Sequence, residues 1–130
     1  MLRTIVAAVL GVVVAMAGGV KLFAPAMLAG DIASLWTSVW NDKLPFLGSA
    51  QNLQLLIGVA ELLAGVVLVV GPVTIQRVAA LCLAVGPLGC AVYSHVVMGD
   101  AKWQPAAVLT GLAVVVAIWP GASADKSKTS

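Results

Sequence analysis

Charge is scarce in this chain. Asp, Glu, Lys and Arg make up 9% of its 130 residues, whereas 62% are hydrophobic. A soluble domain of this length must cover a large surface with polar groups. So few charges cannot do that, and much of the surface is expected to face lipid. Basic residues exceed acidic ones by only 7 to 5. No Lys/Arg cluster occurs outside a short tail, which leaves nucleic-acid binding without support. Cysteine is nearly absent too. Cys82 and Cys90 lie in one apolar stretch, and on a helix they would stand about 12 Å apart along the axis. That is too far for a disulfide, so both read as small buried hydrophobes. Also missing are a nucleophile–base arrangement, a phosphate-binding glycine loop, a dinucleotide fingerprint and a haem motif. One histidine, His95, without acidic or thiolate companions is not a metal site. No internal repeat of the kind found in many transporters is visible.

What the chain does have is apolar length. A membrane-spanning helix needs about 20 mostly apolar residues. Four stretches qualify or nearly do: 4–24, 52–70, 78–98 and the shorter 105–119. Short links, with Gly71-Pro72 as one breaker, make neighbours antiparallel. The fold expected is all-α: an integral-membrane four-helix bundle over residues 1–120, followed by a disordered polar tail, 121–130. In the first connection Ile32, Leu35, Trp36, Val39 and Trp40 recur at helical spacing, opposite Asp31, Ser34, Thr37, Ser38, Asn41 and Asp42. That pattern predicts a short amphipathic helix in the membrane interface, with both tryptophans at headgroup depth; a cap packed on the protein has the same pattern. Arg3, Arg77, Lys126 and Lys128 fall on one side, Lys21, Lys43 and Lys102 on the other. The excess points to a multi-pass protein with both termini in the cytoplasm. Arg3, the following apolar run and Ala15-Met16-Ala17 also resemble a secretory signal, but the run continues to Phe23, which favours a retained helix.

The polar residues inside the apolar stretches carry the functional expectation. Glu61 lies nine residues into its stretch, roughly 13 Å deep. A carboxylate there must face the interior and be partnered or protonated. Gln54, Gly58, Glu61 and Gly65 share one face, and Gly58 and Gly65 allow a neighbouring helix to approach closely. Lys21, Gln54 and His95 all fall in the same half of the bilayer and are the candidate partners of Glu61. Together they would form a polar funnel for a proton, an ion or a polar ligand. A structural clamp is the plain alternative for Glu61, snorkelling for Lys21 and an interfacial position for His95. Pro87, between Gly86 and Gly89, predicts a kink in the third stretch.

Several short pieces resemble the DoxX-like membrane proteins, including the branch of the acetylcholine-receptor chaperone NACHO. They are Gly19-Val20-Lys21-Leu22, Lys43-Leu44-Pro45, Ile57-Gly58-Val59-Ala60-Glu61 with Gly65, and Ser94-His95 through Gly99-Asp100. They span nearly the whole chain up to the fourth stretch. The lack of a long charged C-terminal tail departs from the receptor-chaperone branch, so a chaperone role is not simply carried over. The resemblance implies a four-helix membrane protein tied to quinone-linked sulfur oxidation, to membrane oxidoreductase complexes or to assembly of other membrane proteins. It puts weight on Lys21, Glu61 and His95. Three functions are therefore expected, in this order. The first is an accessory or assembly subunit of a larger membrane complex, with another membrane protein or a second copy as partner. The second is a redox subunit binding a quinone or similar small ligand. The third is a small proton-coupled transporter. No catalytic motif or firm cofactor is indicated.

Overall fold

The computed structural model describes residues 1–119, and all the regular structure among them is helical. The tail expected to be disordered, 121–130, lies outside the described residues. Helix α1 is Leu2–Phe23. Helix α2, Ala29–Leu35, runs on through a wide π-helical turn, Trp36–Trp40, into a last turn, Asn41–Lys43. Helices α3, Ala50–Val70, α4, Val73–Val85, α5, Pro87–Met98, and α6, Trp103–Ile118, complete the order. Three stretches are long and apolar enough to cross a membrane: Leu2–Phe23, Ala50–Val70 and the combined Val73–Met98; Trp103–Ile118 is shorter.

Side-chain size decides which helices pair. On α1 the buried positions include Ala7, Gly11, Val14 and Gly18; on α3 they include Gly58, Glu61, Gly65 and Leu68. Each set recurs every three or four residues and so forms one stripe. The two helices run antiparallel, with Gly11 opposite Gly65 and Gly18 opposite Gly58. A Cβ on Gly18 would stand 2.6 Å from the Gly58 carbonyl oxygen, and one on Gly65 would stand 2.6 Å from the Gly11 carbonyl oxygen. The seam is therefore backbone against backbone. Helices α4 and α5 both pack on α6, while α4, but hardly α5, packs on α3. The main core of Leu10, Leu68, Leu83 and Val116 joins α1, α3, α4 and α6.

Several details differ from the sequence expectation. The third stretch is broken at Gly86–Pro87 into two helices rather than kinked, and α4 begins at Val73, five residues earlier than expected. Proline starts α5 at a position where its missing N–H costs nothing. A Cβ on Gly89 would run into the Ala84 carbonyl, so the break needs that glycine. The second correction concerns α2. Its apolar stripe faces the protein, since Ile32, Leu35 and Trp36 form a buried cluster with Leu53 of α3. The wide turn touches both α3 and α5, so the stripe packs on the protein as the cap pattern has it. The cysteines differ as well: Cys82 is exposed and Cys90 only half-buried, both as free thiols.

At the opposite end of the molecule, Arg3 ties three helices together. Its Nη1 donates to Gln76 Oε1 at 2.6 Å, and its Nη2 and Nε donate to the Val116 and Trp119 carbonyls at 3.1 and 3.3 Å. Gln76 Nε2 in turn donates to the Leu68 carbonyl at 2.9 Å. No structural part for Arg3 was visible in the sequence, yet it is 5% exposed and closes the last turn of α6.

Candidate functional site

The break at Gly86–Pro87 has a consequence for the space between helices. With α4 packed on α3 and α5 diverted toward α6, a cavity of about 360 Å³ remains between α3 and α5, roofed by α2. Its walls are mostly apolar and include Ile57 and Ala60 of α3 and Pro87 and Ala91 of α5. Lys21, Glu61 and His95 also line it, so three of the four residues singled out from the sequence meet at one space.

Glu61 sits in the middle of α3 and is 5% exposed. Lys21 reaches it from the last turn of α1, with Nζ donating to Glu61 Oε1 at 2.7 Å. The glycine seam makes this reach short, because Gly18 and Gly58 bring the two backbones together one turn away. An ammonium has three donors; one goes to Glu61, which leaves two for a further acceptor. The ion pair lets two charges sit away from water without either being unpartnered.

The other two expected partners do not touch Glu61. Gln54, 4% exposed, donates from Nε2 to the Lys21 carbonyl at 3.2 Å and the Pro25 carbonyl at 3.1 Å. It satisfies backbone acceptors left over where α1 ends and thereby fixes the segment that carries Lys21. His95 is engaged elsewhere: its Nδ1 lies 3.0 Å from the Asp100 carboxylate. Asp100 follows Gly99, whose left-handed conformation ends α5; the Asp100 N–H bonds the His95 carbonyl and the Gly99 N–H the Val96 carbonyl. That double closure is the Schellman pattern, and it folds Asp100 back onto His95. The hydrogen bond from His95 holds the Asp100 carboxyl below the usual carboxylate range, helped by the Lys102 N–H. With Nδ1 committed, Nε2 is the imidazole atom left for other partners.

Asp100 was missed as a site residue. The sequence offers only a Gly-Asp pair five residues after the single histidine, which does not by itself say that the backbone reverses there. The roof was missed as well. Trp40 Nε1 donates to Ser94 Oγ at 2.7 Å, and Ser94 Oγ donates to the Cys90 carbonyl at 2.6 Å. Trp40 also leans on Tyr93, ring centroids 6.0 Å apart, with Lys43 Nζ 5.7 Å from the Tyr93 centroid. An exposed pair, Lys102 Nζ to Asp31 Oδ1 at 3.3 Å, joins α2 to the link between α5 and α6. Among the described residues no group of three His, Cys, Asp or Glu side chains is arranged to hold a metal. Comparison with protein families, with characterised proteins and with solved structures gives no match for this chain.

Proposed function

We propose that this protein is a four-helix bundle inserted in a membrane, of the DoxX-like kind, whose cavity binds a small lipid-soluble molecule with a hydrogen-bond-accepting head, such as a quinone. The observation that carries the reading is the cavity itself: about 360 Å³, walled by apolar side chains and ended by the Lys21–Glu61 pair and His95. Its volume is in the range of small-molecule sites, and a few polar groups in an apolar wall are how such sites orient a ligand. Membrane insertion is supported by the three long apolar helices and by the large hydrophobic side chains on their outer faces, among them Val9, Val13, Leu55, Leu63 and Val78. The count read from the sequence, Arg3, Arg77, Lys126 and Lys128 against Lys21, Lys43 and Lys102, supports cytoplasmic termini.

A quinone head fits the residues present, because Lys21 keeps two donors and His95 keeps Nε2. When bound, a quinone supplies paired electron and proton transfer. Lys21 would donate to a head-group oxygen, Glu61 would keep the ammonium in place, and His95 would hold or release a proton at Nε2, with Asp100 fixing the ring. The Trp40 roof and α2 would exclude water from above.

The test is extraction of the purified, mildly solubilised protein with organic solvent and mass spectrometry of the extract. One lipid-soluble carbonyl compound per chain is expected. Ala91→Leu, which fills the cavity without touching the ion pair, should lose it while keeping the melting temperature. Failure to find any such compound, together with no quenching of Trp40 fluorescence by added decyl-ubiquinone, would sink the reading.

A second reading, an accessory subunit of a larger membrane complex, has one observation of its own. A shallow apolar cleft runs along the outer side of α1 and α3, lined by Val12, Met16, Val66 and Val69, and it suits a helix from another protein or a second copy. A stoichiometric protein partner in the same purification would support it.

A further inference from the structure

The end of the molecule opposite the cavity carries charge that nothing described neutralises. Arg3 Nε and Arg77 Nη2 donate to the same oxygen, the Trp119 carbonyl, at 3.3 and 3.0 Å. Two guanidiniums are thus held side by side. Every acceptor they use is neutral: the Gln76 amide and the Val116 and Trp119 carbonyls. Arg77 Nε is enclosed and has no hydrogen-bond partner among the described residues. Among the described residues, the ion-paired acids all lie away from this end: Asp31 with Lys102, Glu61 with Lys21 and Asp100 with His95. The carbonyls that close α6 offer its negative dipole end, which offsets only part of two full charges.

We infer that Arg3 and Arg77 together form a site for a phosphate group, and that an anionic phospholipid headgroup supplies it. An arginine fork matches a phosphate geometrically and bonds it with charge-assisted hydrogen bonds. The site stands where α1 and α4 begin and α6 ends, which is headgroup level if those helices span a bilayer. In the orientation proposed above this end meets the cytoplasmic leaflet, the one rich in anionic lipid. Arg3 is the fixed half, held on three sides. Arg77 is half-exposed, with one amino group on Trp119, and is the half that meets the phosphate.

This inference rests on the membrane reading, and the experiment separates the two. The whole protein is placed in nanodiscs of mixed phosphatidylglycerol and phosphatidylcholine, and lipid retained after release is read by native mass spectrometry. Phosphatidylglycerol should be retained in preference to phosphatidylcholine. Arg77→Gln should weaken that preference about fivefold, the factor one basic side chain contributes near an anionic surface, and Arg77→Lys should restore part of it. Equal retention of both lipids by the unaltered protein overturns the proposal whether or not the variants fold. The same preference in Arg77→Gln as in the unaltered protein also overturns it. Displacement of the lipid by millimolar inorganic phosphate, which then stays bound, would assign the site to free phosphate and overturn the lipid source. A chain recovered without detergent would overturn this inference and the membrane reading together; a detergent-requiring chain without lipid preference overturns this inference alone.

Discussion

Lys21 and Glu61 each remove a charge from water, and each is tolerated because the other lies 2.7 Å away. Taking away one partner leaves the other buried alone. Lys21→Met is therefore expected to destabilise the protein by about 3–5 kcal/mol, while Lys21→Met combined with Glu61→Met should recover most of the loss. Unfolding of the detergent-solubilised variants checks this; equal losses for single and double variants would mean that the pair itself contributes net stability and that the single variant does not suffer from an unpaired buried charge. Asp100 makes a prediction about pH. Its carboxyl is held below the usual range by His95, so the folded state binds that proton less readily than the unfolded one. The resulting stabilisation is present at neutral pH and is lost as pH falls below about 4, the ordinary carboxylate value, and through the lower folded one. A melting-temperature profile should drop in that acid range, and Asp100→Asn should flatten the drop. Glu61 was legible in the sequence because a carboxylate in an apolar run has few ways to exist, and Lys21 because it ends the neighbouring run. Asp100 was not, because its meeting with His95 depends on the backbone reversal at Gly99. Nor was the lack of contact between Gln54 and Glu61, since both share a face and only the end of α1 decides which acceptor the amide finds.

The α1–α3 seam is set by four small residues, and the space at each one makes a graded prediction. On Gly65 a Cβ would meet backbone on α1 at 2.6 Å, whereas on Gly111 of α6 it would meet nothing within 4 Å. Gly65→Ala is expected to cost about 1–3 kcal/mol through overpacking. Gly111→Ala should be neutral or should stabilise by about 0.5–1 kcal/mol through helix propensity. Thermal unfolding of the two variants side by side tests the contrast, and similar effects from both would contradict the close approach. Helical stretches were readable from hydropathy within a few residues of their ends. The partner of α2 was not: an apolar stripe says that one face is hidden but not whether lipid or protein hides it. Here the wide turn at Trp36–Trp40 lets the stripe reach both α3 and α5, and one extra residue in a turn leaves no mark in the spacing of hydrophobic residues. The same limit applied to Pro87, which predicted a disturbance of the helix but not that α5 would leave α3 and open a cavity.

On the scale of the whole chain, charge is sorted by end. Asp31, Asp42, Lys43, Asp100 and Lys102 lie in the links near the cavity, and Arg3 and Arg77 lie at the far end. The proposed orientation makes a direct prediction. With Cys82 and Cys90 replaced by alanine, Asp42→Cys should react with a membrane-impermeant thiol reagent added outside intact cells. Ser130→Cys should react only after the membrane is opened; the reverse pattern would invert the orientation. The antiparallel seam also bears on how such a protein is made. Synthesis delivers α1 first and α3 only after the whole first connection, so Lys21 is already in position when Glu61 emerges. A carboxylate entering hydrocarbon alone faces a penalty of about 2.5–3.5 kcal/mol at the centre of a helix. One that slides along a glycine groove toward a waiting ammonium arrives as half of a neutral pair. In the membrane reading proposed above, the first helix would serve as a docking template for insertion of the third, and the order of the helices along the gene would be part of the folding mechanism.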